Sequence, residues 1–301
     1  MEVAVTGSTG LIGSALVDAL TAAGHRPIRV VRGVATGDEI GWDPEAGTID
    51  AASLEGVDGV VHLAGAGIGD HRWNDAYKLE IRRSRTNGTT LLARTLAGLT
   101  KRPSVLVSGS AVGYYGDRGN EVLDETSSPG TGFLPEVCVA WEAATAPAAE
   151  AGVRVVTTRS GIVLSPRGGA LKRQLPLFKL GLGGTLGTGR QWQSWITLDD
   201  EVGAILHLLT AAVAGPVNLT TPHPVTNAVF TKTLAAVLHR PSFFPIPSFG
   251  PKLVLGSELA DILLYEGQRV LPRVLEKSGY TFTHPTLEEA LRTILDRPAA
   301  A

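Results

Sequence analysis

The sequence has a single cysteine in 301 residues, Cys138, so no disulfide can form within the chain and a reducing, cytoplasmic setting is the natural expectation. Charge of one sign is also missing. Lys and Arg number 27 against 29 Asp and Glu, a formal net charge of -2, which leaves no electrostatic footprint for a nucleic-acid or membrane-surface partner. No apolar run is long enough to cross a bilayer, and Glu2 stands where a secretory leader carries basic residues. No internal repeat is present, and no low-complexity segment beyond the alanines at 299–301. What is there is a loop-rich α/β composition with 36 glycines and 18 prolines, on a chain able to bury one large or two unequal cores.

The stretch Val3-Ala4-Val5-Thr6-Gly7-Ser8-Thr9-Gly10-Leu11-Ile12-Gly13 organises the rest. A short apolar run ends in a threonine and three glycines, and a helical pattern with Leu11, Ile12, Ala15, Leu16 and Leu20 on one side begins at once. Gly7 permits a sharp turn, Gly10 a close approach of backbone to a ligand, and Gly13 close helix–strand packing. The helix N-terminus then offers free N–H groups and partial positive charge, which suit a pyrophosphate. A tight turn in any packed α/β domain would use the same glycines; the strand–turn–helix context favours a nucleotide, with Gly7, Gly10, Leu11, Ile12 and Gly13 at the pyrophosphate. A second strand, Arg26 to Arg32, follows. No acid lies between Gly24 and Gly37 to hold a ribose 2′-hydroxyl, whereas Arg32 suits the 2′-phosphate of NADP. The plain alternative is a solvated arginine at a strand end.

Farther along, Val57 to Ala66 reads as a buried strand running into small residues, with His62 as a hydrogen-bonded core histidine. Leu63, Ala64 and Gly65 then leave room beside the cofactor riboses at the strand's C-terminal end. From Asp75 to Leu99 the pattern is helical. Its arginines Arg82, Arg83 and Arg85 suit a solvated face, with Arg85 also able to face the cofactor. A strand at 103–110 ends in hydroxyls, a helix is expected over 134–150, and another strand over 154–159. This alternation is the signature of a doubly wound parallel sheet. An amphipathic helix near 171–180 precedes the glycine-rich stretch 181–189, read as a flexible wall, with Trp192 and Trp195 packing beside it or lining a pocket. Asp199-Asp200 reads as a pair of first-turn carboxylates stabilising a helix. Gly215-Pro216 marks a boundary. Residues 1–214 form the nucleotide domain, with part of the substrate pocket from about 165–195, and residues 215–301 a smaller, mostly helical region. The latter holds a proline-rich crossing at 241–251 and a last helix opened by a capping box at Thr286 to Glu289.

These residues resemble a known family. Thr6-Gly7-x-x-Gly10-x-x-Gly13, His62-Leu63-Ala64-Gly65, Ser108-Gly109-Ser110-Ala111 before Tyr114-Tyr115-Gly116, and Trp195-Ile196-Thr197-Leu198-Asp199-Asp200 are similar to the extended short-chain dehydrogenase/reductases. Arg72-Trp73, Ser84-Arg85, Tyr114-Tyr115-Gly116-Asp117, Trp141-Glu142-Ala143-Ala144, Gly267-Gln268-Arg269 and Pro285-Thr286-Leu287-Glu288 narrow the resemblance. They point to the atypical branch labelled nucleoside-diphosphate-sugar epimerase-like, with its characteristic C-terminal domain.

The resemblance implies a Rossmann domain holding NAD(P) and a smaller domain closing over a small-molecule substrate. Members often pair through two helices, which leaves a homodimer open. Members also pair a strand-end serine with a Tyr-x-x-x-Lys on the next helix, which trades a proton with substrate as hydride moves. Ser110 matches the serine. The Tyr-Lys pair is absent: no tyrosine is followed four residues later by lysine, and the expected positions fall near Phe133–Leu134 and Val137–Cys138. Tyr114 is the surviving candidate acid or else a pocket-wall aromatic, Cys138 reads as a small buried hydrophobe, and Glu142 stands at the pocket or on the helix surface. Gln193 occupies the position where sugar-nucleotide members carry a diphosphate-clamping arginine, with Arg190 as its alternative. The expectation is an NADP-dependent oxidoreductase or epimerase of an unidentified small molecule, with Ser110 and Tyr114 as candidate catalytic residues and no metal site. A nucleotide-binding sensor that has lost turnover is the alternative.

Overall fold

A computed structural model describes residues 1–242 and 245–296; the alanine tail and two residues of the proline-rich crossing lie outside them. The nucleotide-domain elements are β1 (Glu2–Thr6), α1 (Leu11–Ala22), β2 (Arg26–Arg32), β3 (Ile40–Asp43), β4 (Thr48–Ile49), β5 (Gly59–His62), α2 (Asp75–Gly98), β6 (Val105–Ala111), β7 (Val122–Leu123), α3 (Phe133–Ala143), α4 (Ala146–Glu150) and β8 (Arg154–Ser160). Then come β9 (Ile162–Leu164), α5 (Gly169–Lys179), β10 (Trp192–Gln193), β11 (Trp195–Thr197), α6 (Leu198–Thr210), β12 (Gly215–Leu219), β13 (Val225–Thr226), α7 (Asn227–Val237), α8 (Phe249–Leu255), α9 (Ser257–Ala260), β14 (Arg269–Val270), α10 (Arg273–Lys277) and α11 (Leu287–Ile294).

Eight strands form one sheet in the order β12-β8-β6-β5-β1-β2-β3-β4, all parallel except β4, which returns antiparallel to β3. A strand buried on both faces reads as a continuous apolar run, and β1 shows why. Val3 and Val5 point to the face covered by α1 and α6, among Leu16, Leu20, Ile205 and Leu208. Ala4 points to the opposite face with Leu92 and Leu96 of α2 and Ala148 of α4. From β1 the chain builds outward through β2 and β3, then crosses back to place β5 on the other side of β1. The crevice at the C-terminal ends of β1 and β5 is the topological switch point where such sheets bind ligands. This is the Rossmann-type, doubly wound architecture expected. A separate core built by α5, α7, α11 and Trp195 carries the mostly helical C-terminal region. Among the described residues no helix is long and apolar enough to cross a membrane.

Several expected details change. The single helix over 134–150 is two: Thr145 donates its hydroxyl to the Glu142 carbonyl, and Pro147 has no N–H for a continuing helix, so α3 ends at Ala143. Residues 215–219 belong to the main sheet as β12, paired with β8, because Val217 and Leu219 complete its core. A sheet-based division therefore falls after Leu219 rather than before Gly215. Thr286 caps no N–H of α11; its hydroxyl meets the Glu289 carboxylate at 3.3 Å instead, so the reciprocal capping box does not form. The glycine-rich wall is fixed rather than hanging free, bonded from the Leu186 N–H to Asn227 and from the Ile246 N–H to the Thr185 carbonyl.

The two aspartates of α6 also separate in role. Asp199 is exposed and fits the dipole reading, whereas Asp200 is wholly buried. One Asp200 oxygen accepts from the Tyr280 hydroxyl and the Thr283 N–H, the other from the Thr197 hydroxyl and the His284 N–H. That carboxylate ties the nucleotide domain to the segment before α11.

Candidate functional site

The turn between β1 and α1 is built so that only glycine fits. Gly7 has φ +64, and a Cβ there would stand 2.8 Å from the Leu63 carbonyl carbon and 2.9 Å from the Ala64 nitrogen. A Cβ on Gly13 would meet the Gly7 carbonyl, with the Ser8 Cα at 2.9 Å. The Gly10 N–H closes the turn onto the Gly7 carbonyl at 3.0 Å. Helix α1 starts at Gly10 with no side-chain cap and no acid in its first turn. The amides of Leu11, Ile12 and Gly13 therefore have no capping side chain and no first-turn carboxylate competing for them.

A buried polar chain fastens β1 to β5 beneath this turn. The Leu63 and Ala64 N–H groups donate to the Thr6 hydroxyl at 3.1 and 3.3 Å, so that hydroxyl donates to His62 Nδ1 at 2.8 Å. His62 Nε2–H is then left to donate to Thr89 at 3.0 Å. Complete burial pushes the imidazole down to about 4, so His62 is neutral near pH 7 and structural, as its strand context implied.

Of the arginines on β2, Arg32 is exposed past the Thr6–Val30 pairing, next to a cavity of about 300 Å³ lined by Gly33, Trp42, Asp43, Thr48 and Asp50. It makes no hydrogen bond or ion pair with the described residues. Arg29, which the sequence reading passed over, reaches back to the Ser8 carbonyl at 3.2 Å and holds the glycine turn from outside. Its signal was the period-2 alternation of β2, which puts Arg29 on the α1 side of the sheet. Arg85 is not on the solvated face with Arg82 and Arg83. Its Nη1 donates to the carbonyls of Ala66 and Ile81 at 3.0 and 3.1 Å, its side chain lies against Gly65, and its guanidinium is 5.0 Å from the Trp141 ring. Burial lowers its pKa, and no carboxylate among the described residues pairs with it.

At the C-terminal end of β6 the structure brings together residues that sequence spacing left separate. Ser110 donates to Glu142 Oε1 at 2.7 Å. Arg159, from β8, clamps the same carboxylate with Nε on Oε1 at 2.8 Å and Nη2 on Oε2 at 2.9 Å. The Arg159 side chain is 3% exposed and that of Glu142 15%. Arg159 also donates Nη1 to the Tyr115 hydroxyl at 3.0 Å, and its guanidinium lies 3.4 Å from the centre of the Tyr114 ring. Tyr115 in turn donates to Asn218, and burial pushes its phenol up to about 12. Arg159 itself is opposed by burial, but its bonds to Glu142 and Tyr115 hold its pKa above the ordinary arginine value. Cys138 packs one helical turn before Glu142. Burial, reinforced by the Glu142 charge, pushes its thiol up to about 12, which rules out a thiolate near neutral pH. Glu142 thus turns in to Ser110 and Arg159 rather than out from the helix surface, while Arg159 was legible only as a residue of a strand. Register shows why the two meet: Ser110 and Arg159 are paired neighbours on β6 and β8.

Across the crevice, Trp195 is wholly buried in the C-terminal core, so of the two tryptophans only Trp192 remains half-buried at the cleft. It donates to Asn120 at 2.9 Å, and Arg269 stacks on it with 4.5 Å between guanidinium and ring centre. Gln193 has a buried amide oxygen with no partner among the described residues.

Comparison with known proteins agrees with this geometry. Residues 3–220 match the NAD dependent epimerase/dehydratase family, and residues 246–294 match a domain of unknown function, DUF1731. The chain is 47% identical over 298 residues to epimerase family protein MT2273 of Mycobacterium tuberculosis, covering 98% of each chain. It is 34% identical over 302 residues to epimerase family protein YfhF of Bacillus subtilis, again covering 98% of each. Among solved structures it is similar to the crystal structure of human epimerase family protein SDR39U1 with NADPH, at TM-score 0.91 and 37% identity, over 99% of this chain and 100% of that one.

Proposed function

Because the chain belongs to the NAD dependent epimerase/dehydratase family, we propose that it binds NADP at the β1–α1 turn and acts as an oxidoreductase or epimerase on a small molecule. The observation that carries this reading is the glycine cradle below an uncapped, acid-free α1, with Arg32 at the end of β2 and unpaired among the described residues. A Cβ at Gly7 or Gly13 would fill the space the cradle needs, so the residues present fit a dinucleotide. The human relative crystallised with NADPH supports the phosphorylated form. When bound, the nucleotide supplies or removes hydride.

The chain's own residues divide the remaining work. Gly7, Gly10, Leu11, Ile12 and Gly13 hold the pyrophosphate, Arg32 the 2′-phosphate, and Leu63, Ala64, Gly65 and Arg85 the ribose side of the cleft. Ser110 and Tyr114 face the substrate. The C-terminal region after Leu219, with part of 165–195, closes over it. To test the reading, NADPH and NADH are titrated calorimetrically into wild type and Arg32→Ala. We expect wild type to prefer NADPH by tenfold or more, about 1.4 kcal/mol, and the variant to lose that preference. Equal affinities in wild type refute the assignment.

A second reading has its own observation. The family's tyrosine and lysine are expected near Phe133–Leu134 and Val137–Cys138, where neither residue type occurs, and the Cys138 thiol is held protonated. A nucleotide sensor without turnover accounts for that loss. It requires tight NADPH binding with no oxidation of NADPH by any of a broad carbonyl panel.

A further inference from the structure

The site described above lacks the tyrosine and lysine that move a proton in related enzymes, yet it holds a carboxylate wired to its serine. Ser110 spends its hydroxyl hydrogen on Glu142 at 2.7 Å. What the Ser110 oxygen has left to offer a ligand is a lone pair, so while Glu142 is ionised the serine accepts from a ligand hydroxyl rather than donating to a carbonyl. Glu142 reaches Ser110 from α3, and its side chain keeps 15% of its surface exposed to water.

The other polar groups around it do not compete for that role. Arg159, packed against it from β8, holds both carboxylate oxygens and stays charged. The Cys138 thiol on α3 and the Tyr115 phenol after β6 are both pushed up to about 12. Tyr114 covers Arg159 with its ring. Arg85, reaching in from α2, has its pKa lowered by burial but stays a charged donor near neutral pH and takes up no proton.

We propose that Ser110 and Glu142 form the proton relay of this site, taking the place of the absent tyrosine–lysine pair, with Ser110 touching the substrate oxygen and Glu142 acting through it. This rests on the NADP-dependent reading of the same crevice. In reduction, hydride from the reduced nucleotide adds to the carbonyl carbon, and the C=O π pair moves to oxygen. That oxygen takes the Ser110 proton while Ser110 takes the proton of the Glu142 carboxyl. Carbonyl is reduced and nucleotide oxidised, and Glu142 is left as the carboxylate that Arg159 holds. Oxidation of a hydroxyl runs the same transfers backwards, and there the resting arrangement is already in the receiving state. The substrate class is therefore a hydroxyl compound and its ketone or aldehyde. Arg159 is a positioning residue: it fixes the rotamer of Glu142 so that Oε1 stays on Ser110.

The test separates the relay from the cofactor reading. NADPH affinity is measured calorimetrically for wild type, Ser110→Ala, Glu142→Gln and Glu142→Asp, and turnover is followed as NADPH oxidation by 9,10-phenanthrenequinone, a broad dicarbonyl probe, from pH 5 to 9. The relay predicts NADPH affinities within about twofold of one another. It also predicts that kcat falls roughly a hundredfold in Ser110→Ala and Glu142→Gln. Reduction by wild type falls with rising pH, and Glu142→Gln abolishes that limb, while Glu142→Asp restores part of it. A purely structural carboxylate would lower kcat without erasing the limb. A second readout needs neither nucleotide nor substrate. In infrared difference spectra of the resting protein, Ser110→Ala shifts a carboxylate stretch in the wild-type background but not in Glu142→Gln. Retained turnover in folded Glu142→Gln, an unchanged pH limb, or no infrared shift overturns the relay. Wild type that binds NADPH but leaves the quinone unreduced overturns it too, with nucleotide binding left standing. Wild type that binds no NADPH removes both readings.

Discussion

A methyl group placed on Gly13 tests the nucleotide cradle at its tightest point. The added Cβ would stand 2.8 Å from the Gly7 carbonyl carbon and 2.9 Å from the Ser8 Cα, with the Gly7 oxygen nearer still. Carbon atoms prefer about 3.5–4.0 Å, so the first turn of α1 and the loop must separate by roughly 0.5–1 Å. Both sides of the clash are backbone, so no side chain can rotate away. Overpacking of this kind costs about 1–3 kcal/mol, and the gain from replacing a helical glycine by alanine, about 1 kcal/mol, offsets part of it. Folding stability therefore drops modestly. The nucleotide suffers more, because the amides meant for its pyrophosphate move with the helix. We expect Gly13→Ala to weaken NADPH binding by more than tenfold, over 1.4 kcal/mol, in calorimetric titration. A urea melt of the same sample shows the protein folded, and Ser14→Ala on the adjacent residue leaves affinity within twofold. If folded Gly13→Ala binds NADPH as wild type does, the pyrophosphate is not held at this turn.

Further expectations concern stability. Glu201 is completely buried, with one oxygen accepting from Ser160 at 2.5 Å and the other without a partner among the described residues, and burial pushes its pKa up to about 8. The folded state thus keeps a proton that the unfolded state loses above about 4.5, so wild-type stability should fall as pH rises from about 4.5 to 8, by up to about 1.4 kcal/mol per unit, and flatten beyond. Glu201→Gln removes that slope; urea melts at pH 5 and 8 that show the same difference between variant and wild type at both would contradict this. Glu142→Gln strands the buried Arg159 charge and should cost about 3 kcal/mol, the low end for a broken buried pair, because Tyr114 and Tyr115 still face the guanidinium. The double variant Glu142→Leu with Arg159→Met should recover most of that loss, and a double-mutant cycle with no coupling would count against the pair. Asp200→Asn gives the Thr283 or His284 N–H a donor to face, and about 2–3 kcal/mol should disappear from the unfolding free energy in a denaturant melt.

What could be read in advance had local causes. The β1–α1 turn was legible because close backbone approach admits only glycine, and a strand, three spaced glycines and an amphipathic helix follow one another without a break over residues 2–22. The break at Thr145 was written in Pro147, yet the apolar pattern running through it hid it. Asp200 shows the limit. As one of two aspartates opening a helix it is indistinguishable from Asp199, but one faces solvent and the other receives four donors, two of them backbone amides more than eighty residues away.

By itself, then, the sequence determined the layered sheet, the switch-point crevice and the kind of ligand its glycine turn accepts, because periodicity and backbone sterics act over a few residues. Tertiary structure alone decided which polar groups meet. Arg85 turned inward under Gly65, Arg29 bonded to the turn, and Ser110, Glu142 and Arg159 joined only when β6, α3 and β8 came to lie side by side. Hydrogen bonds and ion pairs depend on distances of about 3 Å between residues far apart in the chain, and no one-dimensional spacing encodes those distances.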